Sequence, residues 1–335
     1  MHRPIRRRSL ALLSTASLAA PALAASTLAA PALAQSGFPA RAVRIIVPYA
    51  PGGASDIVGR LVAQHATRET GQSFVIENRA GGATVPGMQA VATAPADGYT
   101  VSTVDNALSV NPTTLRGRLP FDTEKDLTPL GVLVQAPVVF VKHPSAPAES
   151  VADVLAMARQ RPGSVSLAHA GIGSPNHLAM VQFLVTSGLE MTPVGYRGGG
   201  PELAALVGGE IQYGFISVPS SLAQLQAGRV KALAITSQGR SPLLPEVPSF
   251  REAGLPAVDQ LGWWGMVAPA GVPEAVLDRL HALLVASVHA PEVAERLRAL
   301  NYELVGGSRA DFAALIRLEI ARWADMGARG ALQAE

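Results

Sequence analysis

The chain contains no cysteine. Disulfide bonds, thiolate metal sites and cysteine nucleophiles are therefore excluded, as is a lipid-modified cysteine at a cleavage site. Lysine is scarce, with three residues in 335, and aromatic residues make up only 5%. Charged residues reach 16% against 48% hydrophobic residues, so a chain of this length can bury enough apolar surface for two lobes.

The N-terminus has the layout of a secretory signal. Arginines at positions 6–8 precede an alanine-rich apolar run, and the letters ALA at positions 32–34 have the form of a cleavage site. We predict a cleaved signal peptide over residues 1–34, with Ala24 as the alternative cleavage point, and a mature protein free in the periplasm. The arginine pair fits a twin-arginine signal, although Sec export accepts the same residues. No later stretch offers the ~20 apolar residues of a bilayer span, so no membrane insertion is expected.

The excess of positive charge belongs to this leader. The full chain has 27 basic and 25 acidic residues, and residues 1–34 hold four arginines and no acid. The mature chain therefore has 23 basic and 25 acidic residues, a net charge of −2. This balance gives no reason to expect nucleic acid as a partner.

Short β-branched runs alternate with longer helical patterns. Residues 43–47 read as a buried strand, residues 56–70 as an amphipathic helix and residues 74–77 as a second strand. A strand, a helix and a strand within about 35 residues predict a parallel sheet. The alternation recurs along the chain, with Ser150-x-x-Asp153 as a capping box at one helix start. The fold class predicted is α/β.

Two segments indicate how this chain is divided. Residues 134–138 and 234–238 look like strands that continue without a long linker. A chain that crosses twice between lobes on such strands has a discontinuous first lobe, here residues 35–137 and 237–335. The second lobe, residues 138–236, is then inserted into the first.

Two glycine-rich loops are the candidate sites, because each follows a strand and precedes a helix. The first is APGGASD at 50–56 and the second is AGIGSPNH at 170–177. The first amides of a helix lack partners and carry the positive end of its dipole, so glycine lets an anion approach them closely. The alternative interpretation is structural, with Ser55, Asp56 or Ser174 acting as helix caps. Neither loop has the dinucleotide or P-loop pattern.

Other chemistry has little support in the sequence. The chain has no H-E-x-x-H and no G-x-S-x-G, so neither a metal site nor a hydrolase elbow is predicted. No cofactor is expected. His177 begins a helix, where it either contacts the ligand or packs, and packing is favoured. Of the adjacent Trp263 and Trp264, we expect one ring in the core and one at the surface.

Further strings along the chain resemble one family. They run in order from VRIIVPYAPGG at 43–53 through VIENRAGG at 75–82, APADGYT at 94–100, LPFD at 119–122, YRGG at 196–199 and LPEVP at 244–248 to GWWG at 262–265. In this order they are similar to the Bug-type substrate-binding proteins of tripartite tricarboxylate transporters. The resemblance covers about residues 38–323.

The resemblance implies a periplasmic-binding-protein fold of type II character, with two α/β lobes joined by two crossing strands. It also implies a monomer that captures a small carboxylate or amino acid between its lobes and delivers it to a membrane permease. A ligand relay to a membrane sensor and a secreted hydrolase are the alternatives; the protein is otherwise not expected to be an enzyme. The predicted ligand-binding residues are Pro51, Gly52, Gly53, Ser55, Asp56, Asn106, Gly173, Ser174, His177, Tyr196, Arg197 and Ser217. Arg197 is the candidate partner for a second carboxylate, since its guanidinium can pair bidentately.

Overall fold

The computed structural model describes residues 37–328, so the predicted signal segment and its cleavage points lie outside the described residues. The strands are β1 (Val43–Val47), β2 (Phe74–Asn78), β3 (Thr100–Val104), β4 (Leu127–Lys142), β5 (Ser166–His169), β6 (Thr192–Gly195), β7 (Tyr213–Ser217), β8 (Lys231–Ile235), β9 (Leu261–Pro269) and β10 (Glu303–Leu304). The helices are α1 (Ala54–Thr70), α2 (Val85–Ala92), α3 (Ala107–Thr114), α4 (Val151–Gln160), α5 (Pro175–Ser187), α6 (Gly199–Gly208), α7 (Val218–Gln226), α8 (Glu274–His289), α9 (Pro291–Ala299) and α10 (Arg309–Ala328). The predicted α/β class is confirmed.

Two sheets share one strand. In the first sheet β1 lies parallel to β2 and β3, and β9 runs antiparallel between β3 and β4. In the second sheet β7 lies antiparallel to β4, and β5 runs parallel to both β7 and β6. Strand β1 has the sequence VRIIV with four of its five side chains buried, as the continuous apolar run of a parallel strand covered on both faces predicts.

The long strand β4 connects the sheets. Its residues 127–137 pair with β9, and its residues 138–142 pair with β7 and β8. The return path is interrupted, because β8 ends at Ile235 and β9 begins at Leu261. The sequence had predicted a strand that continues through residues 234–238, and that prediction is wrong beyond residue 235. The predicted lobe boundaries stay a prediction.

The hydroxyl of Thr236 holds the two crossing paths together. It accepts a hydrogen bond from Val138 N at 2.9 Å and donates one to Gln260 O at 2.7 Å. The backbone N–H of Thr236 donates to Val138 O at 2.9 Å. Thr236 is buried, so each of these bonds satisfies a group that water does not reach.

Each sheet has its own apolar core. In the second sheet four of the eight phenylalanines of the chain form one cluster, with ring centroids 4.6–6.3 Å apart: Phe140, Phe183, Phe215 and Phe250. In the first sheet Trp263 meets Phe312 edge-on at 5.3 Å. Aromatic pairs at these separations contribute about 0.5–1.5 kcal/mol beyond area burial. The few aromatic residues are thus concentrated where they hold the sheets to their helices.

Helix prediction succeeded where side chains signal a helix start. Ser150 caps α4 as predicted, because its side chain accepts from Asp153 N at 3.2 Å. Helices α2 and α3 were not predicted. Helix α3 has eight residues and contains Pro112, which intrinsic propensity places outside helices. It packs against α10, so tertiary contact overrides the local preference.

Candidate functional site

A cavity lies where several parallel strands end and helices begin. Its free volume is about 20 Å³, and it is partly open to solvent. Four helices begin at its wall: α1 through Gly53, α5 through Ser174, α6 through Gly199 and α7 through Ser217. The complete lining is Tyr49, Gly53, Ala54, Ser55, Asp105, Ala170, Ser174, Pro175, Asn176, Gly199, Ser217 and Trp264. Of the predicted ligand-binding residues, Gly53, Ser55, Ser174 and Ser217 are therefore brought together.

Asp56 points away from the cavity and braces the first loop. Its carboxylate accepts from Gly52 N at 3.1 Å, from Arg60 Nε at 2.8 Å and from Asn78 Nδ2 at 2.9 Å. Burial acts to raise the pKa of Asp56, but these hydrogen bonds outweigh it and the pKa lies below its ordinary value. Asp56 thus fixes the shape of the loop that Gly53 presents to the cavity.

His177 has a similar supporting position in the second loop. Its backbone N–H donates to Ser174 Oγ at 3.2 Å, and its Nδ1 accepts from Gly173 N at 3.3 Å. Its ring lies 4.8 Å from that of His169. Burial, with a smaller contribution from His169, lowers the pKa of His177 to about 3. The ring is neutral at neutral pH and packs behind the cavity, whose lining does not include it.

Gly173 also supports the site from behind. Its φ is 79°, a backbone conformation that glycine adopts at no steric cost. A Cβ atom there would lie 3.0 Å from Ala107 Cα. Gly173 therefore lets the second loop approach the start of α3 closely.

Asp105 and Tyr49 form a buried pair at the wall. Tyr49 OH donates to Asp105 Oδ1 at 3.0 Å, and Ala107 N donates to the same oxygen at 3.0 Å. Burial raises the pKa of Asp105 to about 7, although these two hydrogen bonds and one from its own backbone N–H oppose the shift. Burial and then the charge of Asp105 raise the pKa of Tyr49 well above 10.

The predicted residue Asn106 is structural in this arrangement. Its amide donates to Glu319 Oε2 at 3.3 Å and its Oδ1 accepts from Trp263 N at 3.3 Å. Trp263 Nε1 in turn donates to Glu319 Oε2 at 3.0 Å. Both adjacent tryptophans are buried and Trp264 lines the cavity, so the expectation of one surface ring is wrong. Trp264 is thus buried at the cavity wall instead of at the outer surface.

Two glycine-rich segments, residues 50–53 beside the first sheet and residues 197–200 beside the second, touch each other. Ala50 N donates to Arg197 O at 2.9 Å. A Cβ atom on Gly53 would lie 3.2 Å from Gly199 N, and one on Gly200 only 2.1 Å from Pro51 O. Pro51 and Gly52 thus contact the start of α6 and are not part of the cavity lining. The contact closes one side of the cavity.

Tyr196 and Arg197 line a neighbouring cavity of about 230 Å³. Its other walls include residues 81–84, and Tyr49 and Ala170 line both cavities. Arg197 therefore lines the second cavity and not the first. Its role as partner of a second carboxylate stays a prediction.

The positive electrostatic potential in the first cavity comes from the main chain. Among its lining residues none is Lys, Arg or His. Each helix start carries the positive end of a dipole, equivalent to about half an elementary charge. Asn176 Nδ2 donates to Glu202 Oε2 at 2.8 Å, and burial raises the pKa of Glu202 well above its ordinary value. The helix starts therefore meet little opposing charge from this acid.

The predicted ligand-binding residues omit four polar or aromatic residues of the lining: Tyr49, Asp105, Asn176 and Trp264. Two of them were marked by position, because Tyr49 lies two residues after β1 and Asp105 directly after β3. Within residues 37–328 no group of three or more His, Asp or Glu side chains is placed to hold a metal ion. In the same range, no helix combines the length and apolar character of a membrane span.

An amide-lined cavity between two α/β sheets joined by crossing strands is the arrangement of a solute-binding protein. The chain belongs to the family described as the tripartite tricarboxylate transporter family receptor, whose sequence model matches residues 58–329. The resemblance to Bug-type proteins is thereby confirmed. BugT of Bordetella pertussis is 32% identical over 314 residues, which cover 93% of either chain.

Two solved structures share the fold and confirm the two-lobe architecture. The R. palustris protein Rpa4515, solved with adipate, is 33% identical with a TM-score of 0.83, over 88% of this chain and 98% of that one. MatC from Rhodopseudomonas palustris, with bound malate, is 30% identical with a TM-score of 0.82, over 86% of this chain and 99% of that one. The family is one of periplasmic receptors.

Proposed function

We propose that this chain is an exported, monomeric receptor that closes on a small carboxylate-bearing molecule and presents it to the membrane permease of a tripartite transporter. The observation that carries the proposal is the set of four helix starts around a cavity without a lysine or arginine in its wall. The first amides of these helices lack intrahelical acceptors. They lie at the N-terminal, positive end of each helix dipole, and this end is at the cavity. They are suited to a carboxylate.

The free volume of the cavity in this conformation is about 20 Å³, room for about one water molecule. A ligand therefore requires the walls to separate before they close around it. The relatives solved with adipate and malate hold small carboxylates. Trp264 and Tyr49 supply apolar surface, and Ser55, Ser174 and Ser217 supply hydroxyl groups that fix orientation.

We assign the two sheets to two lobes, residues 35–137 with 237–335 and residues 138–236. Thr236 then lies at the hinge, and the contact between Ala50 and Arg197 forms when the lobes close. A ligand that touches both lobes stabilises the closed form by its differential affinity. Residues 1–34 are the proposed signal peptide.

The cavity is suited to binding without turnover. Ser217 Oγ shares a hydrogen bond with Ser220 Oγ at 2.8 Å, and Ser174 Oγ caps α5. Activation of a serine nucleophile needs a base within hydrogen-bonding reach, and His177 is not part of the lining. We therefore infer that the ligand leaves chemically unchanged.

The test is thermal-shift screening of refolded, ligand-free mature protein against mono-, di- and tricarboxylates and amino acids. A ligand that binds only the folded state raises Tm by mass action. We expect a rise for a compact carboxylate-bearing molecule, confirmed by calorimetry, and recovery of that molecule intact after overnight incubation. No shift across the panel would refute the carboxylate site, and conversion of the ligand would refute the binding-only role.

The transport role needs a test in cells. Deletion of the gene should abolish uptake of the radiolabelled ligand, and a chain without residues 1–34 should fail to restore it. Normal uptake combined with loss of a transcriptional response to the ligand would favour the sensor relay instead.

A further inference from the structure

Asp105 is the one acidic side chain in the wall of the first cavity among the described residues. It directly follows β3, and its residue is only 4% exposed. Tyr49 is the other titratable side chain of that wall. A carboxyl group in a cavity otherwise suited to anions is a feature that the proposed carboxylate site does not require.

The hydrogen bonds of Asp105 leave one oxygen available to a bound molecule. Tyr49 OH and Ala107 N both donate to Oδ1, each at 3.0 Å, and the backbone N–H of Asp105 is a third donor to the carboxyl group. These donors hold the carboxyl group in one orientation. Oδ2 is then the oxygen that can accept a hydrogen bond from the contents of the cavity.

The charges of the wall are complementary to a zwitterion. The donors to Asp105 are all neutral groups, and the wall contains no Lys, Arg or His to pair with an ionised carboxylate. A plain carboxylate ligand would bring a second negative charge beside Asp105. A ligand ammonium would bring the missing positive charge and donate a charge-assisted hydrogen bond.

We propose that Asp105 is a specificity-determining residue that accepts the amino group of the ligand, so that the receptor prefers an amino acid to the corresponding plain carboxylic acid. The carboxylate of that ligand lies at the helix starts and its ammonium group at Asp105 Oδ2. The inference rests on the proposed function of the same cavity and narrows its substrate class.

The test uses pairs of molecules that differ by one amino group: aspartate and succinate, glutamate and glutarate, alanine and propionate. Calorimetry with the wild-type mature protein should give at least a tenfold lower Kd for the amino acid of the best-bound pair. Asp105→Asn keeps an acceptor for Tyr49 and Ala107 N, and should reduce this preference to threefold or less by weakening the amino acid. Asp97→Asn, at a surface ion pair with Arg41, is the matched control and should keep the preference.

Proton linkage provides a readout in the wild-type protein that does not depend on the folding of a variant. An ammonium group beside Asp105 lowers its pKa, so binding near pH 6.5 should release protons. A plain carboxylate raises the pKa instead, so its binding should take protons up. Titrations in two buffers of different ionisation enthalpy measure the sign.

The possible outcomes distinguish failure of this inference from failure of the proposed carboxylate-binding function. Equal or tighter binding of the plain acid, proton uptake, or a preference that survives in Asp105→Asn would overturn the role of Asp105 and leave the carboxylate site standing. Failure of every compound in all pairs to bind would overturn the proposed function, and this inference with it.

Discussion

The contact between the two glycine-rich segments can be tested by adding one methyl group. Gly200 is the second residue of α6, and a Cβ atom there would lie 2.1 Å from Pro51 O. Ordinary contact begins at 3.4 Å, so the segments have to separate by roughly 1 Å. Because alanine favours a helix over glycine by about 1 kcal/mol, Gly200→Ala should not destabilise α6 itself.

The expected cost falls on the closed form alone. Crowding of a packed contact costs about 1–3 kcal/mol, and loss of the bond from Ala50 N to Arg197 O costs about 0.5–1.5 kcal/mol. Together these give about 1.5–4.5 kcal/mol, which weakens ligand binding roughly 10- to 2,000-fold. The Tm of the ligand-free protein should stay unchanged or rise.

The assay is calorimetric Kd for the ligand found by screening, with Tm measured without ligand. Gly208→Ala is the matched control, because the same helix ends there and an added Cβ would have its nearest neighbours, atoms of Glu210, at 4.0 Å. An unchanged Kd for Gly200→Ala, or an equal loss in both variants, would refute the reasoning that this contact belongs to the ligand-bound form.

Three further predictions concern the hinge, a buried acid and the cavity wall. Thr236→Val removes the hydroxyl that serves two buried backbone groups, so the free energy of unfolding in urea should fall by about 2–4 kcal/mol; a loss under about 0.5 kcal/mol would contradict the hinge contact. Burial raises the pKa of Glu202 well above 4.5, so its contribution to stability is complete below pH 4.5 and is lost as pH rises toward the folded pKa. Urea titrations between pH 5 and 7 should therefore show the wild type losing more stability than Glu202→Gln, and parallel profiles would contradict the buried neutral acid. Trp264→Phe should abolish the change in tryptophan fluorescence on ligand binding, because Trp263 and Trp323 do not line the cavity; a retained change would assign the signal to another ring.

Much of the fold was predictable because its elements are marked locally. The β-branched run of β1, the cap at Ser150 and the glycines between strand and helix each indicate one structure. Helix α3 was missed because its stability comes from packing against α10, which no local window contains. The strand predicted over residues 234–238 instead ends at Ile235, where a polar segment containing proline and glycine begins.

The candidate site was predictable only in part, since capping and ligand binding use the same residue types. Gly53 and Ser174 start helices at the cavity wall, whereas Asp56 and His177, a few residues away, turn back to hold their own loops. Sequence spacing does not distinguish these directions.

Because the proposed anchor for negative charge consists of peptide groups at four helix starts, exchanging side chains at those positions leaves it in place. Under this proposal, affinity for an anion depends on the path of the backbone, whereas preference among anions depends on wall positions such as 105 and 176. A single substitution in the wall would then change which ligand is bound, while the amides at the helix starts stay in place. Relatives with different ligands would then be expected to share the backbone of the cavity and to differ at its walls.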